Sequence, residues 1–598
     1  MLMTSSPTGL RRLLLYSRMN ALRIAIEWQA VVVWGLWIAA LVWTGAYVAQ
    51  HGHNLPANDE WAFIDITYAS VSKQVEWIGQ PHQEHRFPLS RAVFLGLLWA
   101  TGHDFRAGMW LSAGLLAGAA LMLILAARQL RGRTVLADAV FPILFLHPGH
   151  TENLMMGYQI AFTITVFTLG LFALVVARSP DVSTGRSAAW GAGCLIVVAN
   201  GGWLGLVFTP WIGIWTTLQA YRALRTDRQR GLGWFAAAAV VGAAAYLAWL
   251  MWVMLKSQQE GVARAEAMGF VVRARSIAEV IGIGFGPGIA TLIDMAAAGW
   301  VLLVIQAMTA LALLVIGWRA RDERRVAWGL LAMLLGVWAF AFGIGYSRGS
   351  GLASRYTSFT ALGIAVPFLA MARYAPRSTW PLAPIVAAAG VVLLPQNAKH
   401  GRYEGATLDE RYQRFTADVR SGMPMDVLAG RHVDFWHKTH KGWLRLWEEK
   451  FSSIRDVPAP VDFRPAQSAD FRRDGKHVEQ HVTFDRYRVV VGGEKPVAFI
   501  RVTFRAQTMA MWERLMFDWT DPATGEKKRS TVRPWVRPLG PHEVPQEQET
   551  VFWIDGRLSE GELIMGRPEC RFEVRTIEYV LRDEKLARRR DMESTIGR

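Results

Sequence analysis

Side chains suited to acid–base chemistry and anion binding crowd into one polar stretch, residues 50–106, between two apolar runs. The string NDEW near its start supplies adjacent carboxylates from Asp59 and Glu60, followed by the aromatic ring of Trp61. A positioned carboxylate can take the proton from an attacking hydroxyl group. The string therefore predicts a general base. The competing interpretation is that both acids cap a helix that begins at Trp61.

The same stretch continues into the string PHQEHRFPLSR, residues 81–91, ahead of an apolar segment too short to span a bilayer. Its ionisable side chains are His82, Glu84, His85, Arg86 and Arg91. Glu84 is a reserve carboxylate, and the two guanidinium groups can bind phosphate or lie on a solvated loop face. His82 and His85 can donate to the same phosphate, while two histidines alone do not define a metal site. No cofactor is predicted, and a divalent metal remains an alternative.

A second basic position lies in the string YSRGSGLASRY, where Arg348 precedes Arg355 by seven residues and Tyr356 follows directly. A guanidinium at the membrane surface can bind a phosphate with two parallel hydrogen bonds. The alternative is an interfacial arginine whose charge simply reaches water, flanked by tyrosines. We interpret Arg355 as a phosphate ligand, with Arg348, Arg86, His85 and His82 as further candidates.

Long apolar runs must position these groups, and they occupy residues 1–396. Since roughly twenty apolar residues span the hydrocarbon core, we predict about eleven transmembrane helices. Arginine clusters in alternate loops then fall on the side of the N-terminus, which the positive-inside rule makes cytoplasmic. The polar stretch 50–106 and everything after the last helix consequently lie outside the cytoplasm. The localisation predicted is a bacterial inner membrane.

The formal net charge of +16 fits the same rule, because much of the excess sits in short loops between apolar segments. Nucleic-acid binding is therefore not expected. Residues 397–460 are polar and predict a helical connector, and residues 461–598 alternate in hydropathy with turn signals, as in a small β-sandwich. Tryptophans of this tail could stack on sugar rings or form its core: Trp512, Trp519, Trp535 and Trp553.

The chain begins with a transmembrane helix and a long outer loop that has acidic residues near its start. This arrangement resembles that of the glycosyltransferase C superfamily. The resemblance covers the plan of the whole chain, and its sequence-specific part is confined to NDEW and, loosely, to Ser354–Tyr356. It implies a multi-pass enzyme that takes a sugar from a polyprenyl-phosphate carrier, usually with inversion. It also favours Asp59 as the base and makes Glu152 a second acid. Members with two adjacent aspartates differ from this chain, which has Asp59-Glu60.

The predicted protein is thus an inverting membrane glycosyltransferase with a polyprenyl-phosphate-sugar donor. Its acceptor would be a cell-envelope glycan or a lipid-linked glycan, and Trp61, Glu152 and Tyr356 would contact substrate. Three alternatives remain: a transporter or flippase for an envelope glycolipid, a non-catalytic scaffold, and a membrane acyltransferase. The transporter is disfavoured because the polar density lies in loops rather than at the membrane midplane.

Overall fold

The structure is a computed structural model that describes residues 7–67, 69–80, 86–225, 229–257, 269–348, 353–420, 432, 467–479, 482–507, 515–532, 547–554, 556–565 and 571–581. The chain divides into two compact units. The first, helical unit comprises Met1–Leu55 and Ala69–Asp409, and the second comprises Pro56–Tyr68 and Glu410–Arg598. The stretch that carries Asp59 therefore belongs to the second unit together with the tail.

The α-helices lie mostly in the first unit, while the short helix Ala62–Thr67 belongs to the second and the last helix crosses the division at 409/410. They are α1 (Pro7–His51), α2 (Ala62–Thr67), α3 (Val71–Gly79), α4 (Pro88–Ala100), α5 (Arg106–Arg131), α6 (Val140–Phe145), α7 (Thr151–Met155), α8 (Ile160–Arg178), α9 (Thr184–Ala199), α10 (Gly202–Leu206), α11 (Thr209–Leu224), α12 (Arg230–Ser257), α13 (Phe270–Gly282), α14 (Met295–Arg319), α15 (Arg324–Arg348), α16 (Thr357–Tyr374) and α17 (Thr379–Arg420). Short 3-10 helices occupy Asn58–Trp61, Leu136–Ala139, Gly157–Gln159, Ile283–Phe285, Pro287–Thr291, Ser354–Tyr356 and Pro376–Ser378.

Among the described residues, seven helices are long and apolar enough to cross a membrane. They are Trp28–His51, Arg106–Arg131, Gly157–Arg178, Arg230–Trp252, Met295–Arg319, Arg324–Tyr346 and Pro381–Thr416. This confirms a multi-pass membrane protein, while the count of eleven stays a prediction. Helices α9 and α11 have 16 residues each, because Gly202, with φ +66°, and Pro210 interrupt the apolar run between them.

Small residues bring the helices that carry the site into close contact. A Cβ at Gly108 of α5 would lie 2.3 Å from the carbonyl oxygen of Gly157, at the entrance to α8. One at Gly170 of α8 would lie 3.1 Å from the carbonyl oxygen of Ala119. Without a hydrophobic driving force inside a bilayer, helices associate through this kind of close backbone packing. Helices α5 and α8 thus form a rigid support beneath the loop that precedes α8.

Helix α17 continues well past the predicted end of the last span. It runs for 42 residues and contains Pro384 and Pro395. The predicted boundary at residue 396 falls inside this helix, whereas the compact units divide at 409/410. The polar residues beyond Pro395 are therefore held on a regular helix, with side chains repeating every three to four residues.

The described residues of the tail contain nine strands: β1 (Gln467–Ser468), β2 (Asp470–Glu479), β3 (Val482–Lys495), β4 (Val497–Gln507), β5 (Leu515–Thr520), β6 (Lys527–Val532), β7 (Glu547–Trp553), β8 (Leu558–Met565) and β9 (Arg571–Leu581). They form one sheet with the order β1-β9-β4-β7 and another with the order β2-β3-β8-β5-β6. All strand pairs are antiparallel.

Both sheets contribute to a single hydrophobic core. Phe517 of one sheet and Phe552 of the other, for example, place their ring centroids 5.7 Å apart. Along β5, Leu515, Phe517 and Trp519 belong to this core, while Met516 is buried in a separate small cluster, as the period-two alternation of a strand requires. The β-rich tail is confirmed, and the name sandwich remains our interpretation of the two sheets.

Candidate functional site

The NDEW string forms a short, tightly held turn in the second unit. Its 3-10 helix begins at Asn58, which has φ +49°, a left-handed conformation that asparagine tolerates better than most residues. The Glu60 Oε2 atom accepts a hydrogen bond of 2.8 Å from the Ala57 N–H, and Glu60 is 1% exposed. Asp59 is half-buried. Of the two adjacent acids, Glu60 therefore stabilises the turn and Asp59 is the one that water or a substrate can reach.

Trp61 is also buried, with 1% of its surface exposed. Its proposed contact with substrate therefore remains a prediction that requires a change of conformation. Glu84, His82 and His85 lie outside the described residues. Arg348 is the last residue of α15, and its side chain likewise lies outside the description.

In the first unit, Glu152 and Arg355 form an ion pair between two elements about 200 residues apart. The Arg355 Nη1 atom donates to Glu152 Oε1 at 3.0 Å, and the Arg355 backbone N–H donates to Oε2 at 2.9 Å. Ser354 completes the contact, because its hydroxyl donates to Glu152 Oε2 at 3.2 Å and accepts from the Glu152 N–H at 3.1 Å. Both charged side chains remain partly exposed, at 27% and 28%.

Neighbouring residues lock the backbone around this pair. The Asn153 Nδ2 atom donates to the Arg355 carbonyl at 3.2 Å and to the Ser358 hydroxyl at 3.3 Å. Tyr356 is 2% exposed, with ring centroids 5.8 Å from Phe340 and 6.5 Å from Phe162. Tyr356 is thus part of the aromatic core, and its contact with substrate stays a prediction. The structure does bring together Glu152 and Arg355, two residues that the sequence singled out independently.

The loop before α7 is buried and carries His147 and His150, whose rings stack at 4.4 Å between centroids. The His150 Nε2 atom lies 2.9 Å from the carbonyl oxygen of Leu144, so it is the protonated nitrogen of a neutral ring. Burial lowers the pKa of His150 to about 4, because a charged imidazolium would lose its hydration there. The loop therefore carries a neutral, buried imidazole two residues before Glu152.

One face of α17 carries Asn397, Gly401, Gly405 and Asp409 at intervals of four. Asn397 accepts from the Gly288 N–H at 2.8 Å and donates to the Phe285 carbonyl at 3.0 Å. Gly401 accepts from the Tyr47 hydroxyl at 2.8 Å and packs against Pro148. These contacts join α17 to α1, to the loop before α7 and to the glycine-rich segment 282–291.

Asp409 binds two histidines at the end of α1. Its Oδ2 atom lies 2.7 Å from His51 Nδ1, and its Oδ1 atom lies 2.7 Å from His53 Nε2. His51 is 6% exposed and its ring packs 4.9 Å from that of Tyr47. Sequence reasoning missed this group, because the apolar pattern appeared to end near residue 395. The available signal was the four-residue spacing, which indicates a continuing helical face.

Two arginines hold the ends of the segment that contains His82, Glu84 and His85. Arg91 is 2% exposed and donates to the carbonyl oxygens of Trp77 and Gln80 at 2.6 and 2.7 Å. This buried contact makes Arg91 a structural residue. Arg86 donates to the Gly79 carbonyl at 2.8 Å and lies 4.3 Å from the ring centroid of Trp249. Arg86 stays partly exposed and keeps the capacity to bind an anion.

The second unit contains an open groove of about 740 Å³ on the solvent face of its five-stranded sheet. Asp518 and Glu562 lie directly opposite each other across β5 and β8. Like charges in register are unfavourable unless neighbours compensate. Arg529 pairs with Asp518 at 2.6 Å, and Arg488 pairs with Glu560 at 2.5 Å. Trp519 also lines the groove but is only 6% exposed.

The other tryptophans considered for sugar stacking give a mixed outcome. Trp553 is half-buried at the end of β7, and Trp512 and Trp535 lie outside the described residues. As for metals, the described part of the chain contains no group of three or more His, Cys, Asp or Glu side chains arranged to hold an ion.

Among the comparisons with known proteins, the one with solved structures found matches. No family model matches the chain, and no curated protein matches it. The oligosaccharyltransferase of Archaeoglobus fulgidus, solved with a tethered acceptor peptide, shares 12% identity over 66% of this chain, with a TM-score of 0.33. The arabinosyltransferase EmbB from Mycobacterium smegmatis shares 10% identity over 92% of this chain, with a TM-score of 0.29. The mycobacterial arabinofuranosyltransferase AftD, as the class 2 structure of a mutant, shares 12% identity over 92%, with a TM-score of 0.30.

The chain spans 57%, 64% and 62% of the length of these three proteins. Their own descriptions name an oligosaccharyltransferase, an arabinosyltransferase and an arabinofuranosyltransferase. TM-scores near 0.3 do not establish a shared fold or activity for this chain.

Proposed function

We propose that the protein is an inverting membrane glycosyltransferase that uses a polyprenyl-phosphate-linked sugar on the extracytoplasmic side of a bacterial inner membrane. The observation that carries the proposal is the NDEW turn. Its left-handed Asn58 and its Glu60 contact hold Asp59 half-exposed on a short 3-10 helix. Sparsely populated backbone conformations persist where the surrounding structure enforces them, and such positions cluster at active sites.

In the proposed reaction, Asp59 takes the proton of an acceptor hydroxyl as the hydroxyl oxygen forms a bond to the anomeric carbon. The bond from that carbon to the carrier phosphate breaks on the opposite face, and the electron pair leaves with polyprenyl phosphate. The phosphate is already a good leaving group, so little acid catalysis is required. General-base assistance of this kind contributes roughly 10²–10⁴ in rate.

Arginines would stabilise the charge that develops on the leaving phosphate, and Arg355 and Arg86 are the described candidates. Arg355 is preorganised by Glu152, which fixes the guanidinium before any ligand arrives. Preorganised cations lower the cost of reorganisation in the transition state. The acceptor would be an envelope glycan or a glycolipid. The charged groove of the five-stranded sheet is suited to hold polar glycan hydroxyls through Asp518 and Arg529.

The test is a matched pair of neutral substitutions in the turn. We expect Asp59→Asn to lower sugar transfer from a radiolabelled polyprenyl-phosphate donor by about 10²–10⁴. Glu60→Gln should retain most activity, because an amide oxygen still accepts the Ala57 N–H. Both variants should unfold at the wild-type temperature in detergent, which separates catalysis from folding.

If Asp59→Asn transferred sugar as fast as the wild type, Asp59 could not be the general base. Movement of a glycolipid across vesicles by the wild-type chain, without formation of a glycosidic bond, would instead establish the transporter alternative.

A further inference from the structure

Helices α8, α11 and α15 of the first unit come together at the ends that are remote from the Glu152–Arg355 ion pair. The arginine clusters of the sequence predict that these ends lie on the cytoplasmic side. The Arg325 Nη1 atom donates to the carbonyl oxygen of Ser179 at 2.8 Å. This hydrogen bond joins the start of α15 to the end of α8 and fixes the direction of the guanidinium.

Close packing places Arg325 beside α11 as well. The Trp215 Nε1 atom of α11 donates to the Arg325 carbonyl at 2.8 Å. Gly329, one turn further along α15, packs against both neighbours, because a Cβ there would lie 3.0 Å from Trp215 Nε1 and 2.4 Å from Val176 Cγ2 of α8. Residues four apart share a helix face, so Arg325 lies on the side of α15 that contacts α8 and α11.

A second guanidinium reaches the same place from α11. Arg222 follows Trp215 by seven residues, about two helical turns, so the two side chains share a face. Arg222 and Arg325 are both half-buried, and they are close enough for their positive charges to repel each other. Repulsion between like charges is stronger in a partly buried site than in water. An anion bound by both guanidiniums would relieve it.

The carboxylates nearest in sequence to this contact are engaged elsewhere. Glu323 accepts from Arg373 Nε at 3.0 Å and from its Nη2 at 2.5 Å. Asp181 accepts from Gln129 Nε2 at 2.5 Å. Within the described ranges, Arg325 has no carboxylate partner. Its place in the first turn of α15 adds to the cost of its charge, since a helix N-terminus favours negative rather than positive groups.

Gln219 adds an unused acceptor to the same face of α11, between Trp215 and Arg222. It is 1% exposed, and its Oε1 atom has no hydrogen-bond partner among the described residues. Buried polar atoms are rarely left without a partner, which is a protein group, a water or a ligand. A ligand that carries a hydroxyl as well as a phosphate would satisfy this oxygen and both guanidiniums.

We propose that Arg222 and Arg325 bind the phosphate of an anionic phospholipid headgroup, and that Gln219 accepts a hydrogen bond from a headgroup hydroxyl. Phosphatidylglycerol carries both groups. Guanidiniums bind phosphate oxygens through paired, charge-assisted hydrogen bonds. Basic sites between helices at the cytoplasmic surface suit such lipids, because the acyl chains stay in the bilayer while the phosphate reaches the cations. This site is separate from the proposed sugar-transfer site and does not depend on it.

Three arginines at this end of the helices provide matched variants. Arg325→Gln and Arg222→Gln each remove one charge of the proposed site, and Arg325→Lys keeps the charge. Arg225→Gln is the control, because Arg225 is exposed at the end of α11 with its guanidinium 4.4 Å from the Tyr221 ring centroid. The full chain is placed in nanodiscs of phosphatidylcholine that contain a titrated fraction of phosphatidylglycerol with the same acyl chains. Native mass spectrometry then measures the lipids retained and their Kd.

We expect the wild type to retain phosphatidylglycerol in preference to phosphatidylcholine. Arg325→Gln and Arg222→Gln should each raise the Kd for phosphatidylglycerol roughly tenfold, because each removes charge-assisted hydrogen bonds. Arg325→Lys should retain part of the preference, and Arg225→Gln should change the Kd by about twofold or less. Gln219→Leu should weaken the binding of phosphatidylglycerol more than that of phosphatidic acid, which lacks the headgroup glycerol. Each variant is compared between lipids, so a general loss of stability affects both measurements alike.

Equal retention of the two lipids by the wild type would overturn the site. Equal losses in Arg225→Gln and Arg325→Gln would do the same, since they would indicate diffuse surface charge rather than a defined pair. Inorganic phosphate and glycerol 3-phosphate form the water-soluble arm of the experiment. If either bound as tightly as phosphatidylglycerol, the site would belong to a soluble anion and the lipid would be rejected.

Discussion

The two units use their charged side chains in different ways. In the helical unit, Glu152 and Arg355 are about 200 residues apart, and the carboxylate also binds backbone and hydroxyl groups. In the second unit, Arg488 and Glu560 pair diagonally across neighbouring strands, since Arg488 is in register with Glu562, and their side chains are 43% and 55% exposed. A partly buried, multiply bonded pair fixes one geometry, while exposed pairs contribute little to stability. The helical pairs therefore define a rigid frame, and the sheet pairs leave a surface that a ligand can engage.

The largest expected effect is the response of the helical unit to acid. The folded-state pKa of His150 is about 4, below its ordinary value of 6.5, because the ring is buried. The His150 side chain of the unfolded chain therefore binds a proton below pH 6.5, whereas that of the folded chain binds it only near pH 4. Stability is fully present above pH 6.5 and falls by up to roughly 3 kcal/mol as the pH is lowered to 4.

Thermal unfolding in detergent between pH 7 and pH 4 measures this loss. His150→Gln removes one of the histidines whose pKa is lowered by burial, alongside His147 and His400, so its unfolding temperature should depend less on pH in that window, even though it starts lower. The sheet unit supplies a contrast, because backbone N–H groups, chiefly that of Ala523, lower the pKa of Asp521, whose contribution is lost only below its ordinary pKa of 3.8. An equal pH slope for wild type and His150→Gln would contradict the assignment.

Next in size is the removal of charge from the central helical pair. Glu152→Gln leaves Arg355 without its carboxylate and weakens three hydrogen bonds, so we expect the free energy of unfolding to fall by about 2 kcal/mol. The check is a urea or thermal unfolding series with Arg355→Gln and the double variant. If the double variant loses as much stability as the two singles combined, or more, the two side chains do not act as a pair.

A smaller effect is expected at the contact between α1 and α17. Asp409→Asn replaces the acceptor of two imidazoles by an amide, and the loss should be about 1 kcal/mol. His51→Asn should cost more than His53→Asn, because the His51 side chain is 7% exposed and that of His53 is 30% exposed. Unfolding temperatures of the three variants at pH 7 provide the ranking, and the reverse order would contradict it.

The smallest effect belongs to the sheet. Glu560→Gln should change the free energy of unfolding by less than about 0.5 kcal/mol, and added salt should shrink the difference further. A loss comparable to that of Glu152→Gln would erase the contrast between the two units. Glycan binding by the full chain, measured on the same variant, would show whether this exposed surface has a role besides stability.

Sequence reasoning recovered the elements with strong periodicity. The apolar runs predicted the membrane helices, and alternation predicted the β-rich tail, since both depend on side-chain burial that a local pattern records. Arg355 was singled out from its local sequence, and Glu152 from the resemblance to the glycosyltransferase C superfamily. Their mutual contact could not be predicted, because nothing in either string specifies a partner 203 residues away.

Other features depended on tertiary packing that leaves no local signal. Arg91 resembled a phosphate ligand in the sequence, yet the structure buries it against two carbonyl groups. Glu60 could be distinguished from Asp59 only by its contact with the Ala57 N–H. The link from Asp409 to His51 and His53 was missed because helix α17 extends beyond the end of its apolar pattern. Polar residues on a helix lose the hydropathy signal but keep the spacing.

The four-residue spacing also determines which side of α17 each of these side chains lies on. Each residue turns an α-helix by about 100° and advances it by about 1.5 Å, so one extra residue after Gly401 would swing Asp409 away from its histidines while Asn397 stayed engaged. Four extra residues would nearly restore the direction but displace the carboxylate by about 6 Å. The helix should consequently tolerate many replacements along its length and almost no insertions or deletions between Asn397 and Asp409.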